Sequence, residues 1–354
     1  MAGDEADLRR RLTGDDVPPG TTPNRAVSNL TRGGRPNFLT METTARDYFT
    51  EQPKRLIPVE NPTRGNAKAE ILDFLGESNH YSLSFGLQWQ KYRDVQIDRL
   101  NGTQASYHHL KEVFMQGDLS VLVGATCLEI GSGAGRFTDH LVDLCGQVIT
   151  VEPSQALTVN VALGHPKLIP VHADLFRIPI RREKVDVVFC RGVTQHTRNT
   201  REAIKRLFDY VKPGGIVLFD VYHLRWFTPF VAKYWLRPFF RGIDSQKFMQ
   251  GAERWVPRLV RFKRRFVSPL MPDNAFGRNL GHQLVPVADF TDAELLKDDE
   301  QRMTWSILDT VDMYTPRYDE PLTYKAIMKV MAEVGARDVV GNKSTFCFRA
   351  VAPG

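Results

Sequence analysis

"LEIGSGAGRFT", residues 128–138, sets three glycines at every second position directly after a short apolar run and an acid. The preceding "ATCLEI" reads as a short buried strand. The following "GRFTDHLVDLCG" reads as a helix ended by Gly146. A glycine loop between strand and helix turns tightly and lacks the Cβ atoms that would hold a ligand away from backbone. In an open α/β sheet such loops sit at the carboxyl ends of strands, where ligands bind. A dinucleotide fingerprint would need a third glycine at the position of Arg136, and no GK[ST] follows for a phosphate loop. Glu129 is awkward for a pyrophosphate and suits a ligand bearing a cation or an amine.

Outward from the loop, "QVITVEP" reads as a strand and "SQALTVNVALG" as a helix. "LIPVHAD" and "VDVVFCRG" are further strands, and "TREAIKRLFDYVKPGG" is a helix stopped by Pro213 and Gly214. "IVLFDVY" is a fifth strand; a helix from about 322 to 334 and the strand "STFCFRAVA" close the chain. Strands alternating with helices predict a parallel, doubly wound sheet, and the nearly continuous apolar strands predict burial on both faces. Glu152 ends the second strand, where an acid can accept both hydroxyls of a ribose. Asp174 follows the third strand and can accept from an adenine amino group. An adenosine carrying an amino-acid-like cation, without phosphates, fits all three positions.

The series Glu129-Ile130-Gly131-Ser132-Gly133-Ala134-Gly135, Glu152, Ala173-Asp174 and "VKPGG" at 211–215 resembles the class I S-adenosylmethionine-dependent methyltransferases over residues 105–222. The resemblance implies an α/β, Rossmann-like fold: a doubly wound, seven-stranded, mostly parallel sheet with a helical insert and an N-terminal extension. It implies S-adenosyl-L-methionine as cofactor. Glu129, Gly131, Ser132, Gly133 and Gly135 would hold the methionine moiety, Glu152 the ribose, and Asp174 with Leu175 the adenine. Arg191 would complete the cofactor set. "SFGLQWQKYRDVQID", "FCRGVTQHT" and "DMYTPRYDEP" resemble a narrower branch that methylates quinones, glycans and natural products. Where many of that branch carry two adjacent histidines, this chain has Gln195-His196.

Methyl transfer needs the acceptor in line with the methyl group, and a base only when the acceptor must lose a proton. His196, after the fourth strand, is the leading candidate for a base or a positioning residue; His80, Tyr81, Tyr314 and Tyr318 are weaker ones. Arg317 offers a rigid fork for a substrate carboxylate or phosphate, or else pairs with Asp319 or Glu320. Phe85, Trp89 and Tyr92 fall three to four residues apart, an aromatic stripe that either packs or covers a sulfonium. Gln96 could face the same site.

Along the chain we expect a largely disordered leader over 1–65 and a helical aromatic cap over 66–104. An S-adenosylmethionine-binding core over 105–222 follows, then a basic aromatic insert and substrate lid over 223–300, and the rest of the fold over 301–354. Within 224–268 eleven residues are Lys or Arg against Asp244 and Glu253, a local +9 in a chain whose net charge is +6. Three tryptophans and seven phenylalanines share that block. It reads as an aromatic lid with a solvated basic face, as a peripheral membrane contact serving a lipid-linked acceptor, or as an RNA-binding surface, in that order. Pro229, Pro238 and Pro257 argue against one long helix there. The four cysteines show no CxxC spacing, so buried thiols and no metal site are expected. With no secretory segment and no apolar run of membrane-spanning length, the expected location is cytoplasmic, with a position at the inner membrane face as one option. The expected function is methyl transfer to a small-molecule, glycan or lipid-linked acceptor. The alternatives are a nucleic-acid methyltransferase and a catalytically silent binding module.

Overall fold

The computed structural model describes residues 41–60, 68–76, 86, 91–241 and 243–354. Helix α1 (Met41–Tyr48) leads into a hairpin of β1 (Arg55–Glu60) and β2 (Lys68–Asp73). An alternating series follows: β3 (Thr126–Ile130), α2 (Thr138–Leu144), β4 (Gln147–Val151), α3 (Ala156–Ala162), β5 (Leu168–His172), β6 (Val187–Cys190), α4 (Thr200–Asp209) and β7 (Ile216–Asp220). The insert is helical: α5 (Ala232–Phe240), α6 (Ser245–Phe262) and α7 (Ala275–Leu284). Helix α8 (Asp299–Tyr314), α9 (Tyr324–Glu333) and the strands β8 (Arg337–Gly341) and β9 (Cys347–Val351) complete the chain.

One sheet runs β1-β2-β5-β4-β3-β6-β7-β9-β8. Strands β2 to β7 pair in parallel, and β1, β8 and β9 run antiparallel to their neighbours. The strand order reverses at β3, between β4 and β6, which opens a crevice at the carboxyl edge. Leu128, Ile149, Val188 and Val217 are fully buried in the centre, as expected for strands covered by helices on both faces. All four cysteines are buried free thiols.

The expected seven strands are β3 to β9, and the hairpin raises the count to nine. Residues 55–60 fall in the expected disordered leader and 68–73 in the expected helical cap, so both boundaries are corrected. "AKAEILDFL" satisfies a helical or a strand pattern by apolar content alone. Tertiary pairing selects the strand: Leu72 and Asp73 pair with Val171 and His172 at the otherwise open edge of β5. Asp73, fully buried, accepts from Arg55 Nε at 2.7 Å and contacts His172 Nδ1 at 2.8 Å. Ile71 and Val59 pack on Leu157 and Val161 of α3. The breaker-rich stretches before residue 41 lie outside the described residues, as do His80, Tyr81, Phe85 and Trp89.

The insert is indeed not one helix, but it does not break at Pro238 or Pro257. Pro238 lies inside α5 and Pro257 inside α6. A proline in a helix interior costs about 3 kcal/mol. Helix α6 offsets this by burying Phe248, Met249, Ala252, Val256 and Val260 against Val311 and Tyr314 of α8. The break comes before Ser245, where Asp244 caps α6 by accepting from Lys247 N at 2.9 Å.

Candidate functional site

The crevice opens into a cavity of about 520 Å³ at the carboxyl edge of the sheet, roofed by the insert and α8. Gly131, Ser132 and Gly133 form its floor. The loop is held by Val151 O, which accepts from Gly131 N at 2.7 Å. Gly131 has φ +76°, and a Cβ there would sit 2.1 Å from Val193 Cγ2, so only glycine fits. Gly135 is not in the cavity wall. Its φ is +103°, and an added Cβ would meet Asn160 Oδ1 at 2.7 Å, so it serves the packing of α3 on the loop.

Glu152 faces the cavity from the end of β4. Its Oε2 accepts from Gly133 N at 3.1 Å and its Oε1 from Ser154 N at 3.0 Å, which locks the carboxylate in place. Ala173 and Leu175 line the wall after β5. Asp174 between them does not; it caps the next turn, accepting from Phe176 N at 2.7 Å. Arg191 lines the wall after β6, paired with Asp220 Oδ2 at 3.1 Å and donating from Nε to His109 Nε2 at 3.2 Å.

Glu129 lies outside the wall, a correction to the direct ligand contact expected of it. Its side chain is buried in the sheet and accepts from Thr138 Oγ1 at 2.5 Å and Thr150 Oγ1 at 3.0 Å. Burial pushes its carboxyl up to about 7 against the hydroxyl hydrogen bonds that lower it. The folded chain therefore holds this proton more tightly than the unfolded chain. The corresponding stability is full below about pH 4.5 and is lost as pH rises through about 7. Unfolding free energy should drop by on the order of 3 kcal/mol across that window, and Glu129→Gln should flatten the drop. Urea midpoints for both proteins at about pH 5 and about pH 8 check this; equal slopes would refute it.

His196, Tyr222 and Asp312 also line the cavity. His196 Nδ1 lies 3.1 Å from Tyr318 O. A carbonyl only accepts, so Nδ1 carries the hydrogen in that contact and neutral His196 keeps a lone pair on Nε2. Nε2 is 3.9 Å from Asp312 Oδ2. Tyr222 donates its hydroxyl to the same oxygen at 2.9 Å, and its ring meets His196 edge-on at 5.2 Å. Burial pushes the Tyr222 phenol well above its usual range, so it stays a donor. Burial lowers His223, stacked on Phe346 nearby, to about 4 and leaves it neutral.

Other expected residues fall elsewhere. Arg317 is exposed and outside the wall, over the Tyr318 ring at 5.5 Å, so the substrate contact expected of it is corrected. Its expected partner Asp319 instead pairs with Lys233 and Arg237. Tyr314 is buried and donates to Pro286 O at 2.7 Å, which removes it as a base. Tyr92 packs on the insert with its hydroxyl on Glu253, so it packs rather than covers the site. Gln96 does line the cavity. Sequence reasoning missed Tyr222, Asp312 and Asp220. Asp220 ends a strand and was findable; Asp312 opens the quoted "DMYTPRYDEP" stretch, but nothing local singled out its side chain.

The lining suits an adenosine with an amino-acid tail. Ser132 Oγ and Gln96 Oε1 are buried at the cavity and have no hydrogen-bond partner among the described residues, which suits a polar ligand there. Residues 128–219 match the methyltransferase domain family. A ubiquinone biosynthesis O-methyltransferase of Rhodopseudomonas palustris is 27% identical over 162 residues, 43% of this chain and 56% of that protein. The enzyme of the same name from Bradyrhizobium diazoefficiens is 28% identical over the same shares. The chain thus spans little more than half the length of these relatives. A solved S-adenosylmethionine-dependent methyltransferase of Aquifex aeolicus covers 69% of this chain and 92% of its own at 13% identity, with a TM-score of 0.35. With its glycine loop, its strand-end acid and this family match, residues 128–219 form a methyltransferase domain that fits S-adenosylmethionine as donor.

Proposed function

We propose that the protein moves the methyl group of S-adenosylmethionine to a hydroxyl of an apolar small molecule held under the insert. The observation that carries this is a single cavity whose wall holds the glycine loop and Glu152 together with His196, Tyr222 and Asp312. When bound, the donor supplies an electrophilic methyl on a sulfonium. Backbone of Gly131 and Gly133 with Ser132 Oγ receives the methionine end, and Glu152 receives the ribose hydroxyls. Leu175 would pack on the adenine, and the Arg191–Asp220 pair would shape the wall beside it.

The cavity wall is also aromatic: Phe227, Tyr234, Phe290 and Trp305 line it. Such a slot suits a ring carrying few charges. His196 Nε2 takes the acceptor proton as the oxygen attacks, and Asp312 stabilises the imidazolium that forms. Tyr222 keeps Asp312 oriented. Residues 223–300 serve as the lid that keeps water from the transfer. The nucleic-acid alternative loses support because Lys233, Arg237 and Lys263 are spent on buried partners, Asp319 and Asp289.

Calorimetry with S-adenosylmethionine is the first test; no heat at about millimolar donor would overturn the reading. Glu152→Ala removes a charged acceptor and strands Gly133 N. Donor affinity should fall by about a hundredfold. An unchanged dissociation constant would remove Glu152 from the donor site.

A further inference from the structure

The insert has a solvent face as apolar as its core. Phe262, Phe266 and Leu270 stand four residues apart on the end of α6 and the turns after it, all exposed, Leu270 by 78%. Phe276, Leu280 and Leu284 repeat that spacing along α7. Trp235 and Phe239 do the same on α5, Phe239 exposed by 76%. Helix α7 packs against α5 and against residues 263–270, so the three stripes are neighbours. Gln283 Oε1 accepts from Ala232 N at 2.6 Å and ties α7 to the start of α5. A contiguous apolar patch of this kind marks a contact surface.

Charge selects the partner. Arg258, Arg261 and Arg265 are exposed and sit one residue before Leu259, Phe262 and Phe266, so a cationic row runs beside an apolar row on one helix surface. That is the composition of a helix lying in a lipid headgroup region. A second copy of the chain would set these arginine rows against each other across a twofold axis. Among the described residues no helix is long and apolar enough to cross a membrane, so the contact lies in the surface plane.

The patch also borders the cavity. Asn279, His282 and Gln283 of α7 line the cavity while Phe276, Leu280 and Leu284 of the same helix face out. Trp226, 86% exposed, sits between Arg225 and Phe227, which both line it.

The geometry points to this face as a docking surface for an anionic lipid bilayer, seating the cavity beside the acyl region. The arginine row meets lipid phosphates, and the aromatic and leucine stripes enter below the headgroups. The docking surface stands without the methyl-transfer reading. Its consequence rests on that reading: the acceptor is carried in the bilayer and enters under α7.

Sedimentation of the full chain with vesicles tests this, using phosphatidylcholine alone and phosphatidylcholine mixed with phosphatidylglycerol. Binding is expected to the mixed vesicles and to weaken with salt. Replacing Arg258, Arg261 and Arg265 by Gln should weaken binding to the mixed vesicles on the order of a hundredfold, since each cation is worth about fivefold at such a surface. Phe262→Glu with Phe266→Glu should abolish binding to the mixed vesicles. All these side chains are exposed, and unchanged circular-dichroism melts confirm folding of the variants. The proposal is overturned by no binding to anionic vesicles, by binding that neither variant weakens, or by a solution dimer that the Phe262→Glu, Phe266→Glu pair dissociates. Vesicle binding without calorimetric donor binding would instead sink only the methyl-transfer reading.

Discussion

His196→Ala is expected to lower kcat by about 10²- to 10⁴-fold while leaving the affinity for S-adenosylmethionine nearly unchanged. The size follows from losing a general base placed to take the acceptor proton. Nδ1 is committed to Tyr318 O, so the lone pair of neutral His196 is on Nε2, 3.9 Å from Asp312. Tyr222, kept protonated by burial, cannot take a proton itself. The donor end is formed by other elements, the loop after β3 and the end of β4, so donor binding should survive. Asp312→Asn should cost less, because the base remains and only its imidazolium loses a counter-charge. Turnover and donor calorimetry on the same preparations separate the outcomes. Full turnover in His196→Ala would mean that positioning alone drives the transfer and that the acceptor arrives already deprotonated or needs no base.

Asp319→Ala is expected to destabilise the fold by about 3–5 kcal/mol. Its carboxylate is almost wholly buried between Lys233 Nζ and Arg237, with Arg237 Nη1 3.5 Å away. Arg237 also donates to Met313 O at 3.3 Å. Removing the acid leaves two cations in the interior facing each other. Lys233 lies over the Tyr222 ring at 4.9 Å, so the insult reaches the acceptor end as well. Since Asp319 pins α5 to the segment after α8, the insert should loosen before the sheet does. Hydrogen exchange would show protection lost over 232–262 first. A variant with an unchanged urea midpoint would show that the pair merely offsets its own desolvation.

The two halves of the site differ in how they could be read from sequence. Glu152 and the glycine loop are strand-end features whose place follows from local periodicity and from the rule that parallel sheets bind ligands at their carboxyl edge. Glu129 obeyed the same motif, but its burial under Thr138 and Thr150 depends on how α2 and β4 pack, which no spacing reveals. Arg317 and Asp319 show the limit more sharply. Two residues apart, they looked like partners. The fold turns one to solvent and buries the other against cations from α5.

The basic insert followed the same division. Its charge and aromatic content were plain in the chain, but Pro238 and Pro257, expected to break helices, lie inside them. Which cations face water and which face Asp319 or Asp289 depended on the packing of α5 and α6 against α8. By itself the sequence determined the parallel sheet, the glycine loop after β3 and the strand-end acid, because these arise from contacts close along the chain and from the period of the apolar pattern. Only the tertiary structure decided the β1–β2 hairpin, the His196–Asp312–Tyr222 grouping and the apolar face of α5–α7. Each joins segments far apart in sequence, and their pairing is selected by burial and by satisfied polar groups rather than by any local preference.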